Sequence, residues 1–162
     1  MYRIMFVCHG NICRSPMAEF IMKDLVRKEN LTSQFVIASS ATSTEEIGNP
    51  VYPPARAELK RHNVYCDDNK YAVQLKKSDY DKYDLFVVMD SNNVRNIRRI
   101  FRNDPENKIH KLLEYTGKND DVSDPWYSRR FDVAFADIYE GCAGLLKKLI
   151  GEQKCLKKPT SP

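Results

Sequence analysis

The stretch Tyr2-Arg3-Ile4-Met5-Phe6-Val7-Cys8-His9-Gly10-Asn11-Ile12-Cys13-Arg14-Ser15-Pro16-Met17 changes character in its middle. Tyr2 to Val7 is a short run of aliphatic and aromatic residues, which reads as a β-strand. Ser15 offers a helix N-cap, Pro16 suits a first helical position, and Met17, Phe20, Ile21 and Leu25 repeat as an apolar stripe. A strand that turns directly into a helix leaves a loop, residues 8 to 15, in which amide groups and the positive end of the helix dipole face one point. Such a turn is built to hold an anion. Gly10 and Asn11 are residue types that accept left-handed backbone angles, so the loop can curl and aim successive N–H groups inward.

Working outward, further strand-like runs lie at Phe35 to Ser39, Leu85 to Met89 and Lys108 to Leu113, each followed by helical signals. The second crossover predicts a helix from Pro53-Pro54 to about Arg61-His62-Asn63. Ser91 caps a third helix with Val94, Ile97, Ile100 and Phe101 on one face. In the last helix Phe131, Phe135, Ile138, Cys142, Leu145 and Leu149 recur at spacings of four and three, so Cys142 reads as core filler. Four βα repeats with right-handed crossovers predict an α/β fold: a single-domain, doubly wound, four-stranded parallel sheet with helices on both faces. The domain is drawn over residues 1–153, with a basic, frayed tail over 154–162. In this architecture ligands bind beyond the carboxyl ends of the strands.

The 162 residues suit one domain, and 42% apolar with 30% charged residues is the profile of a folded chain. No apolar run is long enough to cross a membrane and none resembles a signal peptide, so the expected compartment is the cytoplasm. Five cysteines, an odd count, read as reduced thiols rather than a disulfide framework. A net charge of +4 is mild. The basic clusters Arg95-Asn96-Ile97-Arg98-Arg99 and Lys154 to Lys158 read as solvated surface, so neither nucleic acid nor membrane is an expected partner. The expected assembly is a monomer or weak dimer.

Cys8 stands at the start of the anion loop, where the amides, the helix dipole and the guanidinium of Arg14 all favour thiolate over thiol. A thiolate there can attack phosphorus in line while Arg14 holds two equatorial oxygens, and Ser15 can donate a hydrogen bond to the sulfur. Of the five cysteines only Cys8 has an arginine six residues on. A phenolate leaving group departs faster if protonated, and Asp124 is the candidate acid. It lies in Asp120-Asp121-Val122-Ser123-Asp124-Pro125-Trp126-Tyr127, between the last strand and the last helix. Pro125 restricts the backbone of Asp124, and Trp126 and Tyr127 can wall a pocket for an aromatic ring. Asp120 and Asp121 read as an ordinary acidic turn.

On these residues the chain resembles the low-molecular-weight protein tyrosine phosphatases, from about Ile4 to Leu149. The resemblance rests on Val7-Cys8-His9-Gly10-Asn11-Ile12-Cys13-Arg14-Ser15-Pro16 and on Asp124-Pro125-Trp126-Tyr127, with Ser39-Ser40-Ala41-Thr42-Ser43 and Ile47-Gly48-Asn49-Pro50 between. It implies hydrolysis of phosphotyrosine in proteins or peptides through a cysteinyl-phosphate on Cys8, without metal or cofactor, and inhibition by phosphate-like oxyanions. Arg14 would clamp phosphate and Asp124 would serve as acid and then as base. His9, Gly10, Asn11, Ile12, Cys13 and Ser15 would line the phosphate site, and Asn11 and Ser39 would brace the loop. Asp90 would steady the site, and Cys13 could form a reversible disulfide with Cys8.

The match has departures. Glu45 stands where an aromatic wall is common, beside the walls Trp126 and Tyr127; Tyr52 replaces a common Asp; and Lys70-Tyr71-Ala72-Val73-Gln74 replaces a segment often carrying His and Arg. No role is assigned to His62, His110 or those positions. An arsenate reductase would need resolving cysteines well downstream of the nucleophile, and none lies between Lys70 and Asp90. A zinc site from Cys8, His9, Cys13, His62 and Cys66 has poor spacing, because the adjacent Cys8 and His9 cannot easily face one metal. A non-catalytic phosphotyrosine-binding module would have no use for both Cys8 and Asp124.

Overall fold

A computed structural model describes the backbone of residues 1–157 and the side chains of residues 1–153. Strand β1 (Tyr2–Cys8) lies inside a four-stranded sheet of order β2-β1-β3-β4, all parallel. It pairs with β2 (Phe35–Ala41) from Tyr2–Phe35 to Cys8–Ala41, and with β3 (Leu85–Val88) from Ile4–Leu85 to Val7–Val88. β3 in turn pairs with β4 (Ile109–Lys111). An unbroken apolar run is what a strand covered on both faces requires. Ile4, Phe6 and Cys8 join the core under α1 (Arg14–Lys28), α2 (Pro53–Arg61) and α5 (Phe131–Lys157), while Met5 and Val7 meet Ile97 and Phe101 of α3 (Ser91–Phe101). Helices therefore cover both faces, and β1 sits where the winding direction reverses, so its carboxyl end opens onto the crevice of the fold.

Several local expectations need correction. β4 stops at Lys111, because Leu112 and Leu113 turn inward within a 3-10 segment (Leu112–Thr116) that packs on α5 instead of extending the ladder. Helix α1 begins at Arg14, one residue before the expected cap. Cys13 takes the cap position without a side-chain bond, and Ser15 is engaged elsewhere. Pro16 is still harmless, since first-turn amides have no partner within the helix. The cap of α3 is Asp90, not Ser91: its Oδ1 accepts from the Asn93 amide at 2.8 Å, and Asn93 Oδ1 accepts from the Asp90 amide at 3.2 Å. A single-turn helix, α4 (Pro125–Ser128), occupies the segment expected to be loop.

The apolar face of α5 is as the spacing predicts, with Phe131, Phe135, Ile138, Cys142, Leu145 and Leu149 all buried. The helix runs on to Lys157, past the boundary drawn at residue 153; the rest of the expected tail, residues 158–162, lies outside the described residues. Among the described residues no helix is long and apolar enough to cross a membrane.

Two glycines let α5 approach the 3-10 segment closely. A Cβ on Gly141 would stand 2.5 Å from Leu112 Cγ, and one on Gly144 would collide with the carbonyl oxygen of Tyr115. Alanine is ordinarily better than glycine in a helix by about 1 kcal/mol. At Gly144 the clash is with rigid backbone, so Gly144→Ala is expected to lower stability by about 1–3 kcal/mol. Urea unfolding checks this; unchanged or increased stability would show that the packing is looser than described.

Candidate active site

Cys8 ends β1 and Arg14 begins α1, so the five residues between them must reverse the chain within a small radius. Asn11 makes this possible with a left-handed backbone, φ 60°. Gly10 does not share that conformation, contrary to expectation; its value is space, since a Cβ there would press on Glu46 Cγ at 3.3 Å. The curl brings the Asn11 amide to 3.4 Å from Cys8 Sγ, and Ser15 Oγ lies 3.0 Å from the same sulfur.

The Asn11 side chain locks this shape. Its Nδ2 donates to Ser15 Oγ at 2.8 Å and to Ser39 Oγ at 3.0 Å, while its Oδ1 accepts from the Val73 amide at 3.1 Å. Ser39 donates in turn to Glu19 Oε1 at 2.6 Å. Glu19 is buried in α1 yet satisfied, because Lys23 Nζ stands 2.6 Å away and Lys70 Nζ 3.5 Å away. Lys70 also donates to the Ser39 carbonyl at 2.9 Å. Burial pushes the Lys70 ammonium below its ordinary range, and the Glu19 carboxylate opposes that shift. Thus the segment that departs from the common pattern supplies both Val73 and Lys70 to the bracing network.

Arg14 is only 3% exposed. Its Nη1 donates to Asp90 Oδ2 and to the Val122 carbonyl, both at 2.8 Å, and Nη2 stands 3.5 Å from Asp124 Oδ2. Burial works against its charge, but the negative charges of Cys8, Asp90 and Asp124 together hold the guanidinium above its ordinary value. It therefore remains a cation. The two loop thiols differ: burial, with the charge of Cys8 next in weight, pushes the Cys13 thiol up to about 12, so Cys13 stays protonated.

Asp124 caps α4, its Oδ1 accepting from the Trp126 amide at 3.0 Å. The loop that brings it there is anchored by Val122, which is buried and whose amide donates to the Met89 carbonyl. One pocket results. Its floor is the loop from Cys8 to Arg14, and its sides are Glu45, Glu46, Asp124, Trp126 and Tyr127. Asp90 and Ser39 lie behind the floor, on Arg14 and Asn11 respectively. Glu45 is exposed and pairs with His9 Nε2 at 2.9 Å, and Glu46 accepts from Asn49. The sequence reading missed Glu46, Glu19 and Lys70; Glu19 alone left a trace, as a carboxylate among residues that all face the core.

Residues left without a role lie apart from this pocket. His62 ends α2, stacks on Phe135 with ring centroids 3.8 Å apart, and pairs with Glu58. Asp121 pairs with Lys111 at 2.7 Å. Among the described residues no cluster of three or more His, Cys, Asp or Glu side chains could hold a metal.

Residues 3–155 match the family model described as low molecular weight phosphotyrosine protein phosphatase. The chain is 34% identical over 156 residues to the low molecular weight protein-tyrosine-phosphatase YfkJ of Bacillus subtilis, covering 95% of this chain and 99% of that one. It is 35% identical over 150 residues to the low molecular weight phosphotyrosine protein phosphatase of Gallus gallus, covering 91% and 92%. The crystal structure of YfkJ superposes with a TM-score of 0.89, covering 94% of this chain and 96% of that one. The low molecular weight protein tyrosine phosphatase of Streptococcus pyogenes superposes at 0.85 with 33% identity, covering 97% and 99%.

Proposed function

Because this chain belongs to the low molecular weight phosphotyrosine protein phosphatase family, and is thus a protein-tyrosine-phosphatase, we propose that it hydrolyses phosphotyrosine through a cysteinyl-phosphate on Cys8. The observation that carries this reading is the buried Arg14, whose guanidinium spans the short gap between the Cys8 loop and Asp124. In the first step the Cys8 thiolate attacks phosphorus in line, the P–O bond to the aryl group breaks, and Asp124 gives its proton to the departing oxygen. Arg14 Nη1 is occupied by Asp90 and Val122, which leaves Nη2 and Nε to donate to equatorial phosphoryl oxygens. The loop amides, those of His9 to Arg14, add further donors where negative charge gathers.

In the second step the Asp124 carboxylate takes a proton from water, the water oxygen attacks phosphorus, and the P–S bond breaks. Ser15 is held by Asn11 with its oxygen 3.0 Å from Cys8 Sγ, so its hydroxyl can turn to donate to the leaving thiolate. Trp126 and Tyr127 are 44% and 82% exposed, which suits pocket walls that cover an aromatic ring only when one enters. This favours phosphotyrosine over the shorter phosphoserine. A nucleophilic thiol also suits the reducing cytoplasm.

The test is hydrolysis of p-nitrophenyl phosphate and of matched phosphotyrosine and phosphoserine peptides, with a chelator present. Turnover that survives the chelator, favours phosphotyrosine and is inhibited competitively by inorganic phosphate is the expected result. Loss of turnover in chelator, or equal rates on both peptides, would overturn the reading. A further expectation concerns the clamp. Arg14→Lys keeps the charge but loses the planar fork, so kcat should fall about 10²–10³-fold; kinetics alongside a denaturation curve would separate that loss from unfolding.

A further inference from the structure

Tyr52 touches both halves of the pocket without lining it. Its amide, at the start of α2, donates to the Ile12 carbonyl in the phosphate loop at 2.9 Å. Its ring packs on Trp126 with centroids 4.9 Å apart, and its hydroxyl accepts from Arg129 Nη2 at 3.0 Å. Arg129 is the C-cap of α4, held in a left-handed conformation with φ 58°. Its guanidinium lies over the Tyr52 and Phe131 rings at 5.4 and 5.6 Å, and its Nη1 donates to the Trp126 carbonyl at 3.4 Å.

Helix α4 needs such a tether. It is one turn long, far below the length at which a helix is stable alone, and Pro125 is its only buried residue. On its N-terminal side Val122 fixes the chain to Met89. On its C-terminal side the contacts between Arg129, Trp126 and Tyr52 do so. We propose that Tyr52, through Arg129 and Trp126, is a positioning residue that holds Asp124 in register with the phosphate loop. The inference rests on the reading of Asp124 as general acid. Tyr52 stands at a position where the sequence resemblance offers an Asp, so the tether here is aromatic and cation–π in character rather than a carboxylate pair.

The consequence is specific to the step in which the aryl group leaves. If Asp124 is loosely held, an activated leaving group such as p-nitrophenolate still departs unaided, whereas phenolate does not. The experiment measures kcat/KM for p-nitrophenyl phosphate and phenyl phosphate in the parent protein, Tyr52→Phe, Tyr52→Ala, Arg129→Asn, Asp124→Asn and the Tyr52→Ala/Asp124→Asn double variant. Asparagine at 129 accepts the left-handed backbone, so that variant removes the guanidinium without new strain.

For Tyr52→Ala we expect phenyl phosphate to lose on the order of tenfold and p-nitrophenyl phosphate less than about threefold, a fraction of the general-acid contribution. Tyr52→Phe and Arg129→Asn should fall between Tyr52→Ala and the parent, because the ring contacts or the hydroxyl remain. In the Asp124→Asn background, Tyr52→Ala should add no further leaving-group dependence. Equal losses on both substrates for Tyr52→Ala and for Tyr52→Phe, or an undiminished effect in the Asp124→Asn background, would overturn the positioning role. Absence of leaving-group dependence in Asp124→Asn itself would overturn the acid reading, and the inference with it.

Discussion

Cys8→Ser is expected to cut turnover of aryl phosphates by roughly 10⁵-fold or more, the scale on which removal of a covalent nucleophile acts. The side chain is 4% exposed and sits against Ser15 Oγ and the Asn11 amide, so a hydroxyl of nearly the same shape can be housed there without disturbing the core. What changes is the chemistry: an alcohol in this place has no general base beside it and remains a poor nucleophile. The cradle for the anion stays, because it consists of loop amides and of Arg14, held by Asp90 and Val122. Binding of inorganic phosphate should therefore persist. Steady-state kinetics and calorimetric titration with phosphate check both halves. Retained turnover would remove Cys8 from the nucleophile role; loss of phosphate binding would show that the sulfur also organises the cradle.

Asp124→Asn should lower kcat/KM by about 10²–10⁴-fold for phenyl phosphate, with a much smaller loss for p-nitrophenyl phosphate. Asparagine keeps the cap on α4, since its Oδ1 can still accept from the Trp126 amide, so the loop should fold as before. Only the proton is missing. The same substitution removes the base for water, so breakdown of the intermediate should slow as well. Equal losses for both substrates would exclude Asp124 as the acid.

The strand, loop and helix from Tyr2 to Leu25 were legible because their signals are local: an apolar run, a proline in the first turn, and a helical stripe. The long face of α5 was legible for the same reason. Local pattern misled where a partner far along the chain decides the outcome. Ser15 reads as a cap, yet it is drawn to Asn11 and Cys8; Ser91 reads as a cap, yet Asp90 outcompetes it because Asn93 can answer in a capping box. Gly10 reads as a handedness residue, but its constraint comes from Glu46 across the pocket mouth. Lys108 to Leu113 reads as one strand, but Leu112 is taken by the close approach of Gly141. Tyr52 and Lys70 have no local signal of function, and Glu19 shows only as a carboxylate within an apolar stretch, since each acts through contacts made only after the sheet has assembled.

The mechanism proposed for this site turns on a phosphoryl group carried on Cys8. Asp124→Asn mixed with excess p-nitrophenyl phosphate forms the intermediate without needing the acid, and hydrolyses it slowly for want of a base. Quenching in acid within one turnover, followed by peptide mass spectrometry, should find phosphoryl on the peptide containing Cys8 in stoichiometric amount, and none in Cys8→Ser. A phosphoryl group on any other residue, or turnover with no trapped adduct, would contradict the mechanism.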